Sequence, residues 1–279
     1  MNLTNIKKIS FQGAIGAYSD LACRNLFPNI ETIPCVSFED AFKAVSEKKA
    51  DLAVIPVDNT IAGRVADVHH LIPNGDLFII GEYFMPIRHA LLGIKGSEIQ
   101  DLEYVHSHVH AIPQCRKKIR ELGLKENIHA DTAGAAHEIA ERNDKKHCAI
   151  ASELAAEIYG LDILINDVQD ADHNTTRFLI LGQEPEIPEE IEGVITSLIF
   201  EVRNIPAALY KALGGFATNG LSFTKLESYV DPQFKSAKFF CDIEGHPDSE
   251  SFKLALEELG FYAADVKFLG AYKAHEFRK

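Results

Sequence analysis

Through the first two thirds of the chain one phrase recurs: a short apolar run, a small polar residue, then a stretch with helical spacing. The run "KISF" leads to "QGAIGAYSD" and a helix through Leu26, and "ADLAVIPV" leads to "DNTIAG" and "RVADVHHLI". "EYVHS" leads to a helix that begins near His110, with apolar positions Ile112, Cys115, Ile119 and Leu122 spaced three or four apart and a stop at Gly123. "NIHA" leads to "DTAGAAHEIAER", and "CAIAS" to "ELAAEIYG". Alternation of this kind predicts a mostly parallel sheet with helices on both faces, the α/β class. "GEYFMPIRHALLGI" interrupts it with two strand-like runs around Pro86, the pattern of a crossing between lobes, and "TRFLIL" returns the chain to the first lobe. The expected lobes are about 1–80 plus 165–183 for the first and about 81–164 for the second.

After Gly182 the segment "QEPEIPEEIE" is acidic, holds two prolines and has no core face, so residues 184–192 read as a linker. Residues 193–279 change rhythm: strand "GVITSLIFEV", helix "PAALYKALGGF", strand "LSFTKLESYV", strand "AKFFCDIEG", helix "SESFKLALEELG", strand "ADVKFLGAY". That order, βαββαβ, is the ferredoxin-like plan. Pro206 is expected at the first helical position and Asn219-Gly220 at the turn after it.

With 46% hydrophobic and 25% charged residues over 279 positions, the chain is ordinary globular material with room for more than one domain. A formal charge of -13 argues against a nucleic-acid partner and against adsorption to an acidic membrane, so an anionic ligand has to be attracted locally. The opening "MNLTNIKKIS" lacks an apolar segment of signal-peptide length and no run approaches a membrane span, so a cytoplasmic location is expected. Cys23, Cys35, Cys115, Cys148 and Cys241 are scattered without a Cys-x-x-Cys pair and read as reduced core or cap residues.

Open parallel sheets collect ligands at the carboxyl ends of their strands. The residues delivered there are Ser19, Asn59, Thr60, Ser107, Asp131, Thr132 and Ser152, and most of them also suit plain helix capping. Asn59 and Thr60 stand one step too early for a cap, and Thr176 and Arg177 precede a strand, where a cap has no use. A guanidinium beside two hydroxyls suits a small carboxylate-bearing ligand. "HSHVH" places His106, His108 and His110 on one face if the strand continues, but the helical periodicity begins near His110, so no metal is expected. "GAIGAYS" lacks the third glycine of a dinucleotide loop and the Gly-Lys-Ser/Thr of a P-loop, and reads as a tight turn feeding a helix, with no nucleotide expected.

"GAIGAYS", "IPVDNTIAG", "SHVHAIPQC", "DTAGAA", "AAEIYGL" and above all "HNTTRFLIL", in this order, resemble the prephenate dehydratases over nearly the whole chain. "PAALYKALGGF" and "FTKLESY" resemble the ACT regulatory domain that follows their catalytic domain. The resemblance implies a catalytic domain over 1–183 with two lobes resembling type II periplasmic binding proteins, and an ACT domain over 193–279. It implies decarboxylation and dehydration of prephenate to phenylpyruvate, with no metal or organic cofactor and with phenylalanine as effector. Thr176 would donate to the departing hydroxyl, Asn59, Gln114, Ser107 and Asp131 would be the other catalytic residues, and Arg177, Thr60, Thr132 and Phe178 would bind substrate. Asn204, Ala208, Leu209, Glu227 and Ser228 would form the effector site, and a homodimer or homotetramer is expected. The chain departs from the family at Ser107-His108-Val109-His110, where Ser-His-Pro-Gln is common. It departs again at Ala207-Ala208-Leu209-Tyr210 and Glu227-Ser228-Tyr229-Val230, which replace Gly-Ala-Leu-Val and Glu-Ser-Arg-Pro. An arogenate dehydratase and a non-catalytic binding protein for small carboxylates are the alternatives.

Overall fold

A computed structural model of the chain describes residues 6–230 and 237–278, so the first half of "MNLTNIKKIS" lies outside the described residues. The chain divides into two compact units, one holding residues 6–69 and 83–178, the other residues 70–82 and 179–278. In chain order the elements are β1 (Lys8–Gln12), α1 (Tyr18–Leu26), β2 (Glu31–Cys35), α2 (Phe38–Ser46), β3 (Leu52–Asn59), β4 (Gly63–Arg64), α3 (Ala66–Asn74) and β5 (Phe78–Pro86). Then come β6 (Ala90–Gly93), β7 (Tyr104–His108), α4 (Arg116–Glu121), β8 (Lys125–His129), α5 (Thr132–Arg142), β9 (His147–Ala151), α6 (Glu153–Tyr159), β10 (Asp162–Ile165) and β11 (Thr175–Gly182). The remainder is β12 (Val194–Val202), α7 (Ala208–Thr218), β13 (Ser222–Val230), β14 (Ala237–Glu244), α8 (Glu250–Tyr262) and β15 (Ala263–Lys273).

The strands before β12 form two sheets, in the orders β2-β1-β3-β11-β5 and β10-β6-β9-β7-β8. Parallel pairs β1 with β2 and β3, and β7 with β8 and β9, follow from the strand–helix alternation. β6 pairs antiparallel with β9 and with β10, because the chain arrives from β5 through Ile87–His89 rather than through a crossover helix. Ala133, Ala135 and Ala136 on α5 are fully buried, and small side chains let that helix lie close on the second sheet over Leu92 and Ala149. The "GAIGAYS" turn joins the lobes: Gly16, at φ +89°, accepts from Ser152 Oγ at 2.7 Å through its carbonyl, and a Cβ there would stand 3.1 Å from Ala155 Cα. Tyr159 adds a hydrogen bond to the Ile15 carbonyl at 2.6 Å.

Two local expectations are corrected. The stretch from Ile112 to Leu122 begins as a 3-10 turn over Ile112–Cys115 and turns α-helical only at Arg116. Pro113 supplies no amide hydrogen there. Pro206 stands before the helix rather than in its first turn, because Ala207 takes φ +60° and α7 starts at Ala208.

In the other unit β12 to β15 form one antiparallel sheet in the order β13-β14-β12-β15. With α7 and α8 the order is βαββαβ, as the sequence pattern predicts, and the core between them holds Phe200, Phe216, Phe252 and Leu259. Residues 70–82 belong to this unit: Lys267 Nζ donates to the carbonyls of Pro73 and Gly75 at 3.0 and 2.6 Å, capping the end of α3. Gly270 sits against β5 so closely that a Cβ would land on the Ile79 carbonyl.

Candidate active site

A cavity of about 200 Å³ opens in the larger unit, small and mainly apolar, with convergent polar groups. The end of β3 delivers Asn59, the start of β11 delivers Thr176 and Phe178, and the start of α1 delivers Tyr18 and Ser19. His89 comes from the crossing before β6, Gln114 from the 3-10 turn and Thr132 from the first position of α5. His108 and His110 complete the polar lining, their rings 5.1 Å apart edge to face.

One hydrogen-bonded chain runs through these residues. Asn59 Oδ1 accepts from the backbone N–H groups of Ile61 and Ala62 at 2.9 and 2.7 Å, which fixes the amide with its nitrogen facing Asn174 and Thr176. Asn59 Nδ2 donates to Asn174 Oδ1 at 2.8 Å and to Thr176 Oγ1 at 2.9 Å. Asn174 Nδ2 then donates to Gln114 Oε1 at 2.6 Å, and His89 Nε2 stands 3.1 Å from the same oxygen. Tyr18 hydroxyl meets His89 Nδ1 at 2.6 Å. Burial holds the His89 pKa below its ordinary value, against the opposing Gln114 hydrogen bond, and burial pushes the Tyr18 phenol well up. Burial also lowers His108, with His110 adding to the effect and Asp131 opposing it. Behind the cavity Cys115 is pushed up to about 12 by burial and is a thiol, not a thiolate.

This order sets what the Thr176 hydroxyl can offer. Its oxygen accepts from Asn59, so its proton is left for a ligand, and a donor on that oxygen stabilises negative charge there.

Of the residues expected from sequence, Asn59, Gln114, Thr132, Thr176 and Phe178 line the cavity together. Ser107 is fully buried and donates to the Ile150 carbonyl at 2.6 Å, tying β7 to β9. Asp131 accepts from Gly134 N–H at 2.7 Å and so caps α5. Thr60 donates to the His173 carbonyl at 2.7 Å and accepts from Thr175 N–H at 2.9 Å, latching the β3 loop to β11. Arg177 is buried, follows Thr176 on the strand and does not line the cavity; its Nη1 stands 3.8 Å from Asp58 Oδ2 and its guanidinium faces the Phe84 ring. Successive strand side chains alternate faces, so Thr176 and Phe178 share one and Arg177 takes the other.

His106 pairs with His147, Nε2 to Nδ1 at 2.9 Å, and is not among the residues lining the cavity. Among the described residues no three His, Cys, Asp or Glu side chains are arranged to hold a metal ion. No helix among them is long and apolar enough to cross a membrane. In the other unit Asn204 is exposed before α7, Ala208 is buried and Leu209 packs on its core. Glu227 and Ser228 lie on the edge strand β13, with Glu227 Oε2 3.3 Å from Lys225 Nζ.

Sequence reasoning passed over Tyr18, His89 and Asn174. Asn174 carried a legible signal, a polar residue directly before a strand with no helix to cap, whereas Tyr18 and His89 are joined only by the fold.

The family model described as prephenate dehydratase matches residues 9–186. A bifunctional N-acyl-homoserine lactone acylase/prephenate dehydratase of Komagataeibacter europaeus is 47% identical over 273 residues, covering 97% of both chains. Arogenate dehydratase/prephenate dehydratase 2 of Arabidopsis thaliana is 38% identical over 275 residues, covering 95% of this chain and 72% of the relative. The solved structure of prephenate dehydratase in complex with L-Phe from Arthrobacter aurescens has a TM-score of 0.89 at 28% identity, covering 98% of this chain and 91% of that one. On the family match over residues 9–186 and the 47% identity along the chain, the protein belongs to the prephenate dehydratase family.

Proposed function

We propose that the cavity converts prephenate to phenylpyruvate, carbon dioxide and water. The observation that carries this is Thr176, which lines the cavity and whose oxygen already accepts from Asn59, leaving its proton for a ligand. The bond between the ring and its carboxyl group breaks, its electron pair moves through the ring double bonds, and the hydroxyl on the opposite carbon leaves with a proton as water. Aromatisation supplies the driving force, so the protein needs chiefly to hold the acid groups and assist the leaving oxygen. A threonine hydroxyl is a weak acid, and its help is greatest as a hydrogen bond that strengthens while charge builds on that oxygen. Phe178 and Ile87 offer apolar surface to the ring. The carboxylates find hydroxyls at Ser19 and Thr132, each in the first turn of a helix where free N–H groups point outward. Ser107, Asp131, Thr60 and Arg177 act behind them, holding the strand ends and helix starts in place.

We further propose phenylalanine as an effector of the βαββαβ module, at Asn204, Ala208, Leu209, Glu227 and Ser228, with pairing of modules into a homodimer or homotetramer. The Arthrobacter relative, solved with L-Phe, supports the effector class.

The experiment is phenylpyruvate release by the purified full chain, with arogenate and an N-acyl-homoserine lactone offered in parallel and phenylalanine titrated. Prephenate turnover supports the reading. Turnover of arogenate alone transfers it to the aminated substrate, and hydrolysis of the lactone alone overturns it. A phenylalanine response lost on Glu227→Ala places the effector at the module; no response to phenylalanine removes that role.

A further inference from the structure

The hydrogen-bonded chain has one direction, and it can be read from either end. It starts at two backbone N–H groups, Ile61 and Ala62, which cannot reverse. These force Asn59 to donate to Asn174, Asn174 to donate to Gln114, and Gln114 to present its oxygen. An oxygen facing His89 Nε2 requires Nε2 to carry the hydrogen, and a neutral ring then leaves Nδ1 as an acceptor. Tyr18 is the donor at 2.6 Å that fits it, though its hydroxyl also stands 3.0 Å from the Arg88 carbonyl. For a neutral His89 ring, one tautomer and one orientation of Gln114 satisfy both ring nitrogens and the amide chain, with the single Tyr18 proton going to Nδ1 rather than to the Arg88 carbonyl.

A consequence appears at Gln114. Both hydrogen bonds to its side chain fall on the oxygen, so among the described residues its NH₂ group donates to no protein atom, and the residue lines the cavity. That leaves a spare donor on the cavity that Thr176 also lines, where the leaving hydroxyl or a carboxylate of the substrate has to sit.

We propose that Tyr18 and His89 are positioning residues that lock the Gln114 amide, so that its NH₂ group is presented to the substrate together with the Thr176 hydroxyl. Neither touches the reacting atoms in this scheme; they act through Gln114. Without the Tyr18 donor, His89 can adopt the Nδ1–H tautomer, Nε2 becomes an acceptor opposite the Gln114 oxygen, and the amide is held by the Asn174 bond alone against that repulsion. The inference rests on the dehydration reading above.

The test is a double-mutant cycle on prephenate turnover with Tyr18→Phe and Gln114→Met, each close in size to the residue replaced. Wild-type turnover is measured first, because its absence breaks the dehydration reading and not the positioning one. Tyr18→Phe is expected to lower kcat about tenfold, the effect of one buried hydrogen bond, with thermal unfolding little changed. Gln114→Met is expected to lower it on the order of 10–100-fold. If Tyr18 acts through Gln114, the double variant is no slower than Gln114→Met alone. Losses that multiply, or a Tyr18→Phe enzyme as fast as the wild type, overturn the proposal. Should Gln114→Met fail to fold, His89→Gln and His89→Leu decide it. The glutamine can still donate to Gln114 and is expected to recover kcat that the leucine loses, and equal losses in the two overturn the proposal.

Discussion

In the hydrogen-bonded chain that includes Thr176 the polar groups are neutral amides, a hydroxyl, an imidazole and a phenol, whereas around Glu82, in the other unit, they are two carboxylates and a guanidinium. Arg278 Nε and Nη2 meet the Glu82 carboxylate at 2.6 and 2.8 Å, and Nη2 stands 3.7 Å from Asp242 Oδ2. Ser197 donates to the other Asp242 oxygen at 2.6 Å, and His275 N–H adds a bond to Glu82 at 3.1 Å. Both carboxylate side chains are fully buried. Neutral groups are cheaper to take out of water, so a fully paired neutral network can still leave spare donors facing a cavity. Buried ions demand fixed partners, and here they pin the end of the chain and β14 to β5. The first arrangement is built to meet a ligand, the second to hold segments in register.

Removing one member from each cluster tests that division. Thr176→Ala is expected to lower kcat on the order of 10²–10⁴-fold. Its unfolding midpoint should stay near the wild type, because Asn59 Nδ2 keeps its bond to Asn174. Turnover within a few-fold of the wild type would remove Thr176 from the chemistry. Arg278→Ala should do the reverse. Leaving two buried carboxylates without their guanidinium is expected to cost about 3–5 kcal/mol in denaturant unfolding, with turnover per folded molecule retained. A stability within 1 kcal/mol of wild type, roughly the level of an exposed pair, would show that the cluster contributes no more than a surface salt bridge.

Legibility in the sequence divided along similar lines. The βαββαβ module and the α/β alternation were readable because each strand and helix announces itself within its own ten or so residues, by period 2 or 3.6. Thr176 was readable as a polar residue standing against a strand and Phe178 came only with the family resemblance, and alternation alone separates Arg177 from them. Ser107 and Asp131 have the residue types of a site, yet one ties two strands and the other caps a helix, uses that local sequence cannot tell from ligand binding. Tyr18 and His89 are 71 positions apart, and no period in the chain relates them. The 3-10 start of the Ile112 helix was hidden for a smaller reason, a proline inside a pattern whose apolar spacing fits either helix.

The smallest expected effect concerns Ala207, where the ACT resemblance has glycine. The structure gives this residue φ +60° and ψ 24°, the left-handed region in which a Cβ crowds the following carbonyl. Ala207 is exposed, so no packing is lost on removing its methyl group. Ala207→Gly relieves the crowding but frees the unfolded chain, and the two effects oppose each other. The net expectation is a gain of about 0.5 kcal/mol, read as a small rise in the denaturant midpoint at constant slope. The same substitution in the Arg278→Ala background should add its full increment, since the two positions lie in different segments, before α7 and after β15, and independent sites are additive. A loss instead of a gain would mean that the turn before α7 is not left-handed in solution, and that the alanine is accommodated by a different start to the helix.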